Sequence, residues 1–157
     1  MSPGAAARRD CGRGLYFGPR KAAIRLSASA QAVMDYEDFA YALDFLTADE
    51  LCPLIVAGDE VVDNLVTHGE VGDAGILVVV RKRAPRVTLS FFVESHKAFA
   101  DFASRHVTAE PRPPRFDAEE RRWHGLGLTM CMNLATRITY RSGERIDRVF
   151  LEFEPKC

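Results

Sequence analysis

The sequence lacks any apolar run approaching the ~20 residues of a membrane-spanning helix, and its N-terminus lacks the apolar core of a signal peptide. It also lacks an excess of charge of either sign, because 21 basic and 22 acidic residues leave a formal net charge of −1. We therefore expect a cytoplasmic protein without a membrane anchor. The near-neutral charge also predicts that neither nucleic acid nor an anionic membrane is a partner.

Paired cysteines and recognisable metal-binding spacings are absent as well. The cysteines are far apart in the chain and form no C-x-x-C pair, which argues against a zinc ribbon or a redox motif; they are Cys11, Cys52, Cys131 and Cys157. None of the four histidines stands at a zinc-ligand spacing, and no Ser-His-Asp arrangement is evident. We expect free thiols, with Cys52 and Cys131 packed as small apolar side chains.

Length and composition predict a single globular domain. The chain has 157 residues, 47% of them hydrophobic, which is enough to fill one core. Residues 1–20 are rich in Gly, Ala and Arg without periodicity, so we predict that they are disordered. The domain is then expected to cover residues 21–157.

Hydrophobic periodicity predicts an alternation of helices and strands. Helices are expected over residues 31–46 and 53–67, the second starting only at Pro53 because proline does not fit deep inside a helix. The capping box at Thr47–Glu50 is assigned to a separate short turn. Strands are expected near residues 22–26 (a short edge strand), 76–81, 87–93, 138–140 and 149–154. Residues 82–85 are predicted to form a solvated turn whose charges need no partner.

Three polar residues recur every four positions along the second helix. Glu60, Asn64 and His68 follow one slowly drifting line on a helix that is otherwise largely apolar. Polar groups on such a helix either line a cleft or form a solvated stripe, and the spacing alone leaves both interpretations open. In a cleft, the carboxylate suits a general base and the amide oxygen suits a hard cation such as Mg²⁺, which together fit phosphoryl transfer.

A glycine turn precedes an apolar helical run in the second half of the chain. Gly125 and Gly127 stand directly before Leu128, Thr129 and the residues that follow. Bare glycine backbone and the first N–H groups of a helix form a potential phosphate-binding site. A lone G-x-G is weak evidence, but here it lies between a charged, proline-rich loop and a helix that leads into a strand.

In this order of elements the chain resembles the histidine-kinase-like ATPases, in particular the small bacterial anti-sigma-factor serine/threonine kinases. Glu60-x-x-x-Asn64-x-x-x-His68-Gly69 resembles the first ATP-site box of that family, and Gly125-Leu126-Gly127-Leu128-Thr129 resembles its glycine-rich box. The resemblance covers residues 24–153. It implies an α/β fold, a two-layer sandwich in which helices cover one face of a mixed, mostly antiparallel sheet.

The resemblance also implies roles for residues of the first and last boxes. Glu60 would be the catalytic base, and Asn64 would bind the cofactor and ligate Mg²⁺. ATP phosphates would be held by Gly125, Gly127 and Thr129. The charged loop over residues 99–124 corresponds to the family's lid, from which Arg121 or Arg122 would reach a phosphate. The alternative for either arginine is a solvated charged loop.

The middle box departs from the family pattern. Glu94 stands where the family has the Asp that binds adenine, and His96 stands where it has Gly. Two functions remain open. One is an ATP- and Mg²⁺-dependent serine/threonine kinase that phosphorylates an anti-anti-sigma or sigma-factor-like protein, with a homodimer as one expected form. The other is a protein-binding module without catalysis, with a degenerate nucleotide site.

Overall fold

The computed structural model describes residues 8–10, 14–94, 115–119, 122–124, 131 and 133–154. Two helices and nine strands follow one another in these ranges, and Cys131, Asn133 and Leu134 are also helical. The first half contains β1 (Arg8–Asp10), β2 (Leu15–Phe17), β3 (Lys21–Leu26), α1 (Ala32–Tyr41) and α2 (Ala48–His68). The second half contains β4 (Ile76–Arg83), β5 (Arg86–Val93), β6 (Arg115–Asp117), β7 (Arg122–His124), β8 (Arg137–Arg141) and β9 (Asp147–Phe153).

Seven of the strands form one sheet in the order β1-β2-β3-β4-β5-β9-β8. The chain is therefore α/β, with a sheet and two helices, as the sequence predicts. Every pairing between the described strands of this sheet is antiparallel, so the predicted mixture with parallel strands is not found among them. Tight connections such as the β4–β5 hairpin favour antiparallel neighbours, since parallel strands need a long crossover.

The core lies between the two helices and one face of the sheet. Side chains alternate along β4, where Ile76, Val78 and Val80 are fully buried while Leu77 and Val79 are only partly buried. The helices bury Tyr36, Leu54 and other apolar residues in the same core cluster. The opposite face of the sheet is not covered by either helix, and we call it the open face.

Helix α2 is longer than predicted and contains Pro53. The helix begins at the Thr47 capping box, so the predicted separate turn is wrong. Proline removes one N–H from the helical ladder, but the carbonyl it leaves without a partner belongs to Asp49, which is exposed and reachable by water. The capping box and the packing of Leu54 keep the chain helical across this position.

Close packing of α1 on α2 depends on a glycine. The Tyr36 hydroxyl donates a hydrogen bond of 2.6 Å to the Leu54 carbonyl, and both residues are fully buried. A Cβ added at Gly58 would overlap the Tyr36 ring. The glycine therefore allows the phenol to lie directly on the backbone of α2, a role that the sequence did not suggest.

The predicted disorder of residues 1–20 is wrong for the described part of that segment. Residues 8–10 and 15–17 form β1 and β2, while residues 1–7 and 11–13 lie outside the described ranges. Apolar Leu15 and Phe17 pack on the core, with the Phe17 ring centroid 5.7 Å from that of Phe39. Because β2 pairs with β3, the strand at Lys21–Leu26 is not at the edge of the sheet.

Two further features differ from prediction. The region expected to be a loop contains the β6–β7 hairpin, in which Arg115 pairs with His124 along the backbone. Lys82, expected to be solvated, belongs to β4 and forms an ion pair of 2.8 Å with Glu50. No helix within the described ranges combines the length and apolarity needed to cross a bilayer.

Candidate functional site

The direction of α2 determines which end of the sheet lies near Glu60 and Asn64. The Lys82–Glu50 ion pair fixes the start of α2 at the end of β4, and Gly69 ends the helix shortly before β4 begins at Ile76. The helix therefore runs antiparallel to β4. Its C-terminal half, with Glu60 and Asn64, lies toward the end of the sheet where Ile76 starts β4, β5 ends and β9 begins.

Glu60 and Asn64 are both half-buried on this half of α2. Burial, and then the nearby charge of Asp63, raise the pKa of the Glu60 carboxyl above its ordinary value. No Lys or Arg among the described residues forms an ion pair with Glu60, and the Asn64 amide has no hydrogen bond to another described side chain. The raised pKa of a half-buried carboxyl is compatible with a general base.

A second carboxyl group of α2 is more strongly perturbed. The pKa of Asp59 is raised to about 7, first by burial, then by a hydrogen bond with the Glu37 side chain of α1 and by the charges of Glu37 and Glu60. Its Oδ1 atom is buried without a hydrogen-bond partner among the described residues. The contact between the Asp59 and Glu37 carboxyl groups is stable when the two groups share one proton. The sequence singled out Glu60 and missed this neighbour.

Cys131, in the second half of the chain, contacts α2 close to Glu60. The residue is buried, and its Sγ donates to the Ala57 carbonyl of α2 over 3.5 Å. Burial raises the pKa of this thiol to about 12, and the charge of Glu60 adds to the effect. The helical residue Cys131, which follows Gly125 and Gly127 in sequence, therefore lies beside the turn of α2 that precedes Glu60. Cys52, also expected to be packed, is instead exposed.

Asp147, at the start of β9, is a fully buried carboxylate that the sequence did not single out. Ser142 donates a hydrogen bond of 3.2 Å to its Oδ1, while Oδ2 has no donor among the described residues. Its backbone pairs with Val93 at the end of β5. Only its alternation with Val149 and Leu151, which face the core, would have indicated that it points inward.

Glu94 is not brought together with Glu60 and Asn64 by any contact among the described residues. Phe92 points to the open face and Val93 to the core, so the alternation places Glu94 on the open side. There it is exposed and lines a groove of about 510 Å³ together with Arg25 and Leu77.

The predicted phosphate-binding residues are mostly outside the described ranges, which exclude Gly125, Gly127 and Thr129. Arg122 is described only as the first backbone position of β7. Their predicted roles stay predictions. His68 is exposed at the C-terminal end of α2.

The predicted Mg²⁺ ligand, Asn64, offers an amide oxygen, a donor type that suits Mg²⁺ rather than a soft transition metal. The described residues contain no group of three or more His, Cys, Asp and Glu side chains able to enclose a metal. Mg²⁺ does not need such a cage, because it keeps several waters and is commonly held by one or two protein oxygens together with phosphates. The Asn64 amide oxygen would supply one such protein ligand.

An apolar groove of about 820 Å³ lies at the other end of α2. It is lined by Pro53 and Val56 of α2, by Asn133 and Leu134, and by Phe153 of β9. Neither Glu60 nor Asn64 lines this groove, so it is separate from the predicted site.

Comparisons with known proteins add no family assignment. No family model matches the chain, and no curated protein matches its sequence.

Proposed function

We propose that the chain is an ATP-binding regulatory protein with the histidine-kinase-like ATPase fold, which phosphorylates serine or threonine on a protein partner in a cytoplasmic partner-switching system. Asn64 would ligate Mg²⁺ bridged to ATP, and Glu60 would accept the proton of the acceptor hydroxyl. Gly125, Gly127 and Thr129 would contact phosphates, with Arg122 available from the charged region before them. The partner would be an anti-anti-sigma or sigma-factor-like protein, and a homodimer is compatible with this function.

One observation carries the proposal. Cys131, which follows Gly125 and Gly127 in sequence, packs against α2 at Ala57, near the middle of the helix and one turn before Glu60. This contact supports the proposal, because a nucleotide site shared by the two boxes needs the residues after Gly127 to lie near α2. The raised pKa of the Glu60 carboxyl supports a role in proton transfer, because a general base works best when its pKa approaches the working pH.

A second function is favoured by one specific observation. Glu94 faces the open side of the sheet, away from α2, so the expected contact with adenine has no support at that position. A protein-binding module that keeps the fold and binds nucleotide weakly would agree with this placement. On either function we expect ATP to bind with a Kd in the high-micromolar range or weaker, as a rough figure.

Calorimetric titration with ATP, with and without Mg²⁺, tests the proposal. The wild-type chain should bind ATP more tightly with Mg²⁺, and Asn64→Ala should remove the Mg²⁺-dependent part while leaving the thermal unfolding temperature unchanged. Asn133→Ala is the matched control, because Asn133 is an exposed helical asparagine outside the site. Loss of the Mg²⁺ effect in both variants, or in neither, would remove Asn64 from the site.

The middle box can be tested in the same way. The double change Glu94→Asp and His96→Gly should strengthen ATP binding if these positions touch the base. If the wild-type chain binds ATP tightly and the double variant binds it less well, the base is held by other residues. If no variant binds nucleotide, the kinase function is wrong and the protein-binding module remains.

A further inference from the structure

The fold separates the charges of this nearly neutral chain. Residues 26–80, which include both long helices, contain eleven Asp and Glu and no Lys or Arg. The basic residues are concentrated on the strands, and many of them face the open side of the sheet. The net charge near zero led us to predict no nucleic-acid partner. It is the sum of an acidic helical side and a basic open face of the sheet.

The register of the sheet arranges the open face in rows that cross the strands. One row places arginines at both ends and apolar residues between them: Arg25, Leu77, Phe92, Arg148 and Arg141 are successive cross-strand neighbours. Each of these arginines is exposed. Arg25 donates to the Ala74 carbonyl, and no carboxylate among the described residues forms an ion pair with any of the three.

A second basic row lies four residues further along the strands. It consists of Lys21, Arg81, Thr88, Glu152 and Arg137. Its single carboxylate is already engaged, because the Arg86 guanidinium lies 3.7 Å from Glu152. At ~3.3 Å per residue the two basic rows are about 13 Å apart.

Between them lies a row that contains no charge. Its members are Ala23, Val79, Ser90, Phe150 and Thr139. The Phe150 ring meets the Phe92 ring edge to face at 5.8 Å between centroids, and the Arg141 guanidinium lies 6.0 Å from the Phe150 centroid. A groove of about 560 Å³ includes Phe92, Phe150 and Arg81, so this uncharged row forms part of a concave surface.

We propose that the open face binds single-stranded nucleic acid across the strands, with bases on the uncharged row and phosphates on the two basic rows. An uncharged floor containing the Phe150 ring, with the Phe92 ring beside it, lies between two rows that carry Arg and Lys. This arrangement matches the chemistry of such a strand, whose bases stack and whose backbone is anionic. An acidic protein surface would satisfy the cations, but it offers nothing for Phe150 and Phe92. The site lies on the opposite face of the sheet from Glu60 and does not depend on the proposed kinase function.

Fluorescence anisotropy with a labelled oligouridine of about 12 nucleotides tests the proposal, and an oligothymidine of the same length separates RNA from DNA as the preferred strand. We expect saturable binding at ~50 mM salt that weakens steeply by ~200 mM. The double variant Arg81→Gln and Arg148→Gln should bind about tenfold less tightly and reduce the slope of log K against log salt by about 1.4, or ~0.7 for each phosphate that is no longer neutralised.

The control variant carries the same change in net charge at positions outside the open face. Ala28→Glu with Met34→Glu also changes the charge by −2, at exposed positions in α1 and in the segment that precedes it. It should leave both the affinity and the salt slope close to wild type. Phe150→Leu keeps all charges and should weaken binding about tenfold without changing the slope, because it removes a stacking surface.

Three results would overturn the proposal. They are absence of saturable binding by the wild-type chain at ~50 mM salt, an equal loss of affinity in the charge control, and an unchanged salt slope in the arginine variant.

Sedimentation velocity in the same buffers identifies the competing occupant. Self-association that the arginine variant abolishes, without oligonucleotide binding, would mean that the open face binds the acidic surface of a second copy. Excess ATP with Mg²⁺ should not displace the oligonucleotide, so failure here is distinguishable from failure of the kinase function.

Discussion

At the N-terminal end of α2 the Glu50 carboxylate pairs with Lys82, whereas no Lys or Arg in the described part of the chain pairs with Asp59 or Glu60 of the C-terminal half. At the start of the helix, Thr47 and Glu50 cap each other and Glu50 binds Lys82. In the second half, Asp59 and Glu60 have raised pKa values and no ion pair with a described residue. One half therefore stabilises the fold, while the other accepts an electrostatic cost that a bound cation or a shared proton would relieve.

The largest expected effect concerns Glu60. If this carboxylate is the base, Glu60→Gln should lower phosphoryl transfer to a partner by about 100-fold or more, with nucleotide affinity little changed. Glu144→Gln is the control, because Glu144 is exposed in the turn before β9. Transfer from radiolabelled ATP measures both variants. Equal rates would mean that Glu60 is structural and that the two halves of α2 do not differ in chemistry.

Packing at the midpoint of α2 should also have a large effect. Gly58→Ala introduces a methyl group that overlaps the Tyr36 ring, and we expect it to lower the free energy of unfolding by about 1–3 kcal/mol. Gly72→Ala is the matched control, since nothing lies within 4 Å of the Cβ it would add. Urea unfolding measures both. A Gly58 variant as stable as the control would mean that α1 shifts on α2 without cost.

Many elements of the fold could be predicted, because hydrophobic alternation reports the side of a strand that is buried. β4, β5, β8 and β9 all overlap the predicted strands. Pro53 is misread because local propensity forbids it in a helix, whereas a capping box and core packing outweigh the absence of one hydrogen bond. Lys82 is misread for a related reason: its partner Glu50 is distant in sequence.

The candidate site was only partly predictable. Glu60 and Asn64 follow from helical spacing alone. Asp147 does not, because its burial depends on the pairing of β9 with β5 and β8. The family resemblance assigns Glu94 to the site, but the side it faces is set by strand alternation with Phe92 and Val93. The basic rows of the open face likewise appear only when the register is known.

A smaller effect should distinguish the ion pair of the first half from a surface pair. A double-mutant cycle on Glu50→Gln and Lys82→Met should give a coupling of about 0.5–1 kcal/mol, because the side chains are only 18% and 21% exposed. The same cycle on Arg86→Met and Glu154→Gln should give a smaller coupling, since those side chains are 50% and 35% exposed. Equal couplings would show that burial does not strengthen the first pair.

The pH dependence of stability should come from the second half of the helix. The pKa of Asp59 in the fold is about 7, above its ordinary value of 3.8, so the folded state favours the protonated carboxyl. Its ionisation destabilises the fold above pH ~7, and this effect is relieved as the pH falls toward ~4. Asp59→Asn should raise the unfolding temperature at pH ~8 more than at pH ~5. A pH profile parallel to that of the wild type would contradict the shift.

The most direct test of the difference between the two halves is paramagnetic broadening of backbone amide signals by Mn²⁺ with ATP, since Mn²⁺ can replace Mg²⁺ among oxygen ligands. We predict that signals of Glu60 and Asn64 broaden with Mn²⁺ and ATP together, while those of Asp49 and Glu50 remain sharp although these residues are also acidic. Mn²⁺ alone supplies the control for nonspecific binding to carboxylates. Broadening centred on Asp49 and Glu50, or none that depends on ATP, would contradict a nucleotide-metal site on the C-terminal half of α2.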